Sequence, residues 1–171
     1  MNRSTRRQRR VVVIEDDMQT QDLLRTLLEA EGYRVLSAHY APTPVDFSQL
    51  RPEFVVLDLR LSGADEGWPL LQELKVTPGA TRIPVLVCTG DHELVRREGD
   101  QLRNLAAAIV LEPFEGDTWS SAVEACQQAN TRIQKLGRPQ VEYACCGGSE
   151  PGASCACPIG GRQLDLCGLA G

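Results

Sequence analysis

No apolar run in this chain of 171 residues approaches the roughly 20 residues needed to cross a bilayer. The run after the N-terminal arginines is only Val11–Ile14, too short for the core of a signal peptide, so a cytoplasmic protein with no membrane partner is expected. Also missing are a glycine-rich phosphate loop, a serine nucleophile elbow and a helical pair of histidines, which sets aside the common NTPase, serine-hydrolase and zinc-protease chemistries. The two histidines, His39 and His92, are isolated and read as surface or loop residues rather than ligands or a phosphohistidine. With 42% hydrophobic and 24% charged residues, the chain has material for one well-packed domain and an appendage, not for two full domains.

Charge is unevenly spread. Arg3, Arg6, Arg7, Arg9 and Arg10 fall within the first ten residues, and without them the remainder holds 13 basic and 23 acidic residues, a net −10. An acidic body disfavours direct DNA binding by the folded domain, whereas the basic arm could touch nucleic acid or anionic lipid if it is more than a solvated lead-in.

Two apolar runs end abruptly on acids: Val11–Ile14 meets Glu15, Asp16 and Asp17, and Phe54–Leu57 meets Asp58. Four apolar residues without polar alternation read as strands buried on both faces, the pattern of a parallel sheet covered by helices. In such sheets the site lies at the carboxyl ends of the strands, and acids converging there repel one another unless a cation joins them, which suits Mg2+.

The rest of the chain alternates in the same way. Helical spacing runs from Met18 to Glu31 and stops at Gly32; Tyr33–Ala38 reads as a strand. A short helix is expected from Pro44, capped by Thr43, and another from Gly67 to Lys75, with Trp68 partly exposed at its start and a turn at Pro78-Gly79. Further expectations are a strand over Ile83–Cys88, a helix from Asp91 to Leu102, a strand over Ala106–Leu111, and a last helix capped by Asp117 and ending near Leu136. Five strands alternating with five helices specify an α/β fold, a doubly wound five-stranded parallel sheet. Within it Cys88 and Cys126 read as inert core thiols.

These landmarks resemble, over about Gln8 to Leu136, the receiver domain of bacterial response regulators, the CheY-like family with its flavodoxin-like fold. The acidic pair Glu15 and Asp16 follows the first strand, Leu28-Glu29-Ala30-Glu31-Gly32-Tyr33 resembles the end of the family's first helix, Asp58 holds the phosphoacceptor position, Thr89 the hydroxyl position and Pro113-Phe114 the Pro-aromatic pair. The resemblance implies a single-domain receiver in two-component or phosphorelay signalling. Asp58 would take a phosphoryl group from a histidine kinase or phosphotransfer protein, and would not act as a turnover enzyme. It further implies Mg2+ held by Asp16, Asp58 and the backbone carbonyl of Arg60, with Glu15 acting through water, and the Thr89 hydroxyl donating to a phosphoryl oxygen. The chemistry agrees: a carboxylate attacks phosphorus in line when the charge on the equatorial oxygens is neutralised, and Gly90 leaves room for the donor. A phosphatase with an aspartyl nucleophile would need a second acid two residues on, where Arg60 stands.

The family's lysine before the Pro-aromatic pair is here Glu112, and its aromatic switch position is Ile109. A carboxylate about 5 Å from a phosphoryl group is repelled by ~3 kcal/mol per unit charge at an effective dielectric near 20. Arg60 and Asp91, which flank the mouth of the site, offer compensation: Arg60 could serve the phosphoryl group or Glu112, or pair with Asp91. Crowded carboxylates also raise one another's pKa, so Glu112 could keep a proton. The loop Leu61–Gly67 is one residue longer than usual, with Ser62 where proline is typical. The alternative expectation is thus a pseudo-receiver, a protein-interaction module independent of phosphorylation. In either case the output is a protein contact through the face of the fourth predicted helix, fifth strand and fifth helix.

The domain organisation expected is a basic arm over 1–8, a receiver domain over 9–136 and a tail over 137–171. The tail gathers Cys145, Cys146, Cys155, Cys157 and Cys167, but fits no paired zinc knuckle. Glycine, proline and serine give it no apolar face, so it reads as disordered, with a thiolate or redox site as the other reading.

Overall fold

The fold is that of a computed structural model, which describes residues 9–38, 47, 50–61 and 66–136. The arm over 1–8, His39, most of the segment around Pro44, Ser62 and its neighbours to residue 65, and the tail over 137–171 lie outside the described residues.

Five strands, β1 (Arg10–Ile14), β2 (Arg34–Ala38), β3 (Phe54–Leu57), β4 (Val85–Thr89) and β5 (Ala108–Leu111), form one sheet. It is all parallel, in the order β2-β1-β3-β4-β5. Four helices among the described residues cover it: α1 (Met18–Ala30), α2 (Gly67–Val76), α3 (His92–Leu105) and α4 (Gly116–Lys135). The last three are the third to fifth of the helices expected from the sequence. Of the expected second helix, Phe47 is helical and buried, and its carbonyl accepts the amide of Arg51 at 3.0 Å, the spacing of a helical turn.

Strand residues divide by parity, because successive side chains point to opposite faces. Val12, Ile14, Val55, Leu57, Val85 and Val87 face Leu70, Leu71 and Leu74 of α2 and Leu94 and Leu102 of α3. Val11, Val13, Phe54, Val56, Leu86 and Val110 face Leu24 and Leu28 of α1 and Trp119, Val123 and Cys126 of α4. Both faces are therefore dry, which is why these strands read as unbroken apolar runs. Gly32 ends α1 at φ +84°, as its left-handed stop requires, and Trp68 is partly buried against the first cluster.

Several boundaries differ from expectation by a residue or more, and three have a plain cause. β4 begins at Val85, because Pro84 has no amide for the ladder and the amide of Ile83 is taken by Ala80. β5 begins at Ala108, since the amide of Ala106 closes the end of α3 on Leu102. Asp117 is not the cap of the last helix: α4 begins at Gly116 after Glu115, and Asp117 lies in its first turn, where a carboxylate favours the positive end of the helix dipole.

Candidate functional site

The strand order reverses between β1 and β3, and ligands bind at the carboxyl ends of strands on either side of such a switch point. Ile14 and Leu57 are register partners there, and the amide of Asp58 donates to Ile14 O at 3.0 Å. Glu15, Asp16 and Asp58 consequently each place a carboxylate oxygen within 4.8 Å of the others. Asp17 goes elsewhere: its side chain accepts the amide of Thr20 at 2.8 Å and caps α1, and these bonds hold its carboxyl below the usual range.

Asp58 is half-buried. Burial pushes its pKa up, hydrogen bonding from Thr89 and from the amides of Arg60 and Leu59 opposes this, and the Asp16 charge raises it again. Its Oδ1 is buried with no hydrogen-bond partner among the described residues. A charged acceptor left so is costly, and a missing ion is one of the few physical reasons for it. That orphan oxygen and the hard-oxygen donors of Glu15, Asp16 and Asp58 fit Mg2+, and these are the side chains that could hold it.

Glu15 is 3% exposed, and its Oε1 accepts the amide of Asp17 at 2.9 Å. Burial, and then the charges of Asp58, Glu112 and Asp16 against that amide bond, bring its pKa to about 7. An acid whose folded pKa is raised binds more protons folded than unfolded between the two values. The stability of the metal-free domain is therefore expected to fall as pH rises from about 4.5 to about 7, by up to about 3 kcal/mol from Glu15. Denaturation in EDTA at pH 5 and pH 7.5 measures this, and Glu15→Gln should flatten the slope and raise the stability at the higher pH.

On the neighbouring strand, Thr89 is fully buried at the end of β4, and its hydroxyl also accepts the amide of Asp91 at 3.2 Å. Asp91 caps α3 by accepting the amide of Leu94 at 2.8 Å. Its Oδ2 lies 4.0 Å from Nε of the exposed Arg60, an ion pair of little energetic weight in water. Of the three roles open to Arg60 in the sequence, this is the contact it makes.

Glu112 reaches the same edge from β5. It accepts a hydrogen bond from the Cys88 thiol, Sγ to Oε1 at 3.3 Å, and burial raises its pKa, helped by the charges of Asp58 and Asp17 and opposed by the thiol. Gly90 is its neighbour: a Cβ there would lie 4.0 Å from Glu112 Oε2. The Glu112–Pro113 peptide is cis, Pro113 is exposed, and Ile109 packs partly buried against the α2–α3 side of the core.

Three participants escaped the sequence. Cys88 is buried as expected, its thiol pushed far up by burial and by Glu112, yet it binds a site carboxylate rather than only filling space. His92, exposed as expected, sets Nε2 2.9 Å from the carbonyl of Glu112 and so ties the start of α3 to the end of β5. Gly67 donates its amide to Leu59 O at 3.1 Å and packs directly on the backbone of Asp58. The nearest sequence signal was only that glycine opens the helix after β3.

An open parallel sheet with an acid cluster at its switch point, one acid beside a buried threonine, defines an α/β domain with hard oxygen donors able to hold a cation. The comparisons narrow this: the model of the response regulator receiver domain matches residues 11–131, and the chain belongs to that family. It is a receiver domain of the response regulators of two-component signalling. It is 28% identical over 120 residues to the phosphate regulon transcriptional regulatory protein PhoB of Rhizobium meliloti (strain 1021), covering 68% of this chain and 51% of PhoB. It is also 28% identical over 95 residues to the polar-differentiation response regulator DivK of Brucella anthropi, covering 52% of this chain and 76% of DivK. The chain thus spans about half the length of PhoB. The receiver domain of the sensor histidine kinase PA1611 from Pseudomonas aeruginosa PAO1, solved with a magnesium ion in its active-site cleft, shares the fold. Its TM-score is 0.58 at 17% identity, over 72% of this chain and 98% of that one.

Proposed function

We propose that Asp58 accepts a phosphoryl group from a histidine kinase or phosphotransfer protein, in the cytoplasm, and that the domain signals by docking rather than by turnover. The observation that carries this reading is the buried, unpartnered Oδ1 of Asp58, in a cluster with Glu15 and Asp16 and beside the Thr89 hydroxyl. A carboxylate oxygen of Asp58 attacks the donor phosphorus, the bond to the donor's leaving group breaks with its electron pair, and an acyl phosphate results. When bound, Mg2+ supplies neutralisation of the phosphoryl and carboxylate charge. Thr89, now donating to Asp58 and accepting from Asp91, turns its hydroxyl proton to a phosphoryl oxygen, which loosens its bond to the start of α3. With the lysine position held by Glu112, that loop is the route by which α3, β5 and α4 would sense the group and present a changed face to a downstream protein.

One observation favours a second reading, a module that docks without phosphate. The two groups nearest a phosphoryl binding role are otherwise engaged, Arg60 with Asp91 and Glu112 as an anion bound to Cys88. The two readings part when the protein is incubated with Mg2+ and a small-molecule phosphodonor. Stoichiometric labelling that disappears in Asp58→Asn supports phosphoacceptance. No labelling under conditions that label an ordinary receiver would leave only the docking module.

A further inference from the structure

Positive charge is scarce at the edge that carries Asp58. The described residues of the loops after β1, β3, β4 and β5 include eight acids and a single arginine, Arg60, and no lysine. Arg60 is exposed and lies 4.0 Å from Asp91, which offsets its charge. His92, at the start of α3, sets Nε2 against the Glu112 carbonyl oxygen and not against a carboxylate. Of the acids, Asp17 and Asp91 are committed to helix caps.

Glu112 belongs to this edge but not to the group of Glu15, Asp16 and Asp58, whose carboxylate oxygens lie within 4.8 Å of one another. It is still within electrostatic reach of that group, since the Asp58 charge raises the Glu112 pKa and the Glu112 charge raises that of Glu15. It is also held in place. Its amide donates to Thr89 O at 3.0 Å, and its Oε1 accepts the Cys88 thiol at 3.3 Å. A hydrogen bond from a neutral thiol leaves the carboxylate its full charge when ionised. Independently of this tally of charge, the buried and unpartnered Oδ1 of Asp58 points to an ion at the group.

We propose that Glu112 is a positioning residue for the divalent cation, strengthening its binding at Glu15, Asp16 and Asp58 through charge and without ligating it. This rests on the reading of those three side chains as a cation site. A fixed carboxylate beyond ligand distance attracts the ion without stripping water from it, which suits Mg2+, an ion that dehydrates reluctantly. The same charge repels a phosphoryl group on Asp58. Glu112 therefore biases the site towards a resting state that is loaded with cation and free of phosphate.

Thermal unfolding of the full chain at pH 8 and constant ionic strength, in EDTA and over a series of MgCl2 concentrations, reads the metal-free melt and the apparent Mg2+ affinity together. Glu112→Gln keeps the shape and removes the charge. It should weaken the affinity about tenfold, the scale of one charge acting on a divalent ion across several ångströms of partly solvated protein. In EDTA the same variant should melt at the parent's temperature or above it, because a repulsion has gone. A residue that merely supports the fold would lower both. Asp58→Asn removes a ligand charge and should weaken the affinity more than Glu112→Gln does. A parent whose melt ignores Mg2+, or a response undiminished in Asp58→Asn, would remove the cation site itself and the proposal with it. A response that Asp58→Asn weakens but that is equal in the parent and Glu112→Gln would leave the site standing and overturn the role of Glu112, as would a lower melt of Glu112→Gln in EDTA.

Discussion

Glu112→Lys is expected to raise the yield or the lifetime of phosphorylated Asp58 by about tenfold or more. Full repulsion of ~3 kcal/mol at 5 Å would give more than a hundredfold. Glu112, however, is only half-buried, so solvent screens part of its charge, and the smaller figure follows. Because burial raises the Glu112 pKa, lowering the pH should relieve the repulsion in the parent and not in the lysine variant, so the ratio of their yields should narrow as pH falls. Glu112→Gln removes the charge without supplying a cation and should fall between the two. Labelling from a small-molecule phosphodonor with Mg2+, followed by decay of the phosphoprotein, reads all three. Equal yield and lifetime in parent and lysine variant would show that charge at this position is irrelevant to the site.

What the sequence made legible follows from how locally each feature is determined. Val11–Ile14 and Phe54–Leu57 declare themselves because a strand covered on both faces must be apolar throughout, and the acids that end them mark the sheet edge without any tertiary knowledge. Strand starts were less legible, since Ile83 and Ala106 are as apolar as the strands they precede and only their hydrogen bonds exclude them. The chemistry of Glu15-Asp16-Asp17 could not be divided from composition alone, because burial of Glu15 and capping by Asp17 depend on where α1 begins. The contact between Cys88 and Glu112 joins residues 24 apart on adjacent strands, and nothing in either segment announces it. Arg60 had three chemically reasonable partners, and choosing Asp91 required the actual approach of the loops after β3 and β4.

Gly67 carries the largest expected structural effect. A Cβ on it would stand 2.0 Å from Asp58 O, 2.6 Å from Leu59 Cα and 2.9 Å from the carbonyl carbon of Asp58. All three are backbone atoms, so no side-chain rotation relieves the overlap; either α2 must move out or the end of β3 must move away. The first opens the packing of Leu70 and Leu71 on the sheet, and the second displaces the Asp58 carboxylate from Asp16 and Thr89. Gly67→Ala is expected to cost about 3 kcal/mol or more, at the upper end for overpacked sites. It should also lower labelling of Asp58 in whatever fraction remains folded. Gly116, at the first residue of α4, is the control: a Cβ there meets nothing within 4 Å, so Gly116→Ala should be neutral or stabilise by about 0.5 kcal/mol through the unfolded chain. Urea denaturation of both variants, with labelling measured in parallel, separates the outcomes. A Gly67→Ala protein as stable and as readily labelled as the parent would mean that α2 does not approach the end of β3 as closely as the structure places it.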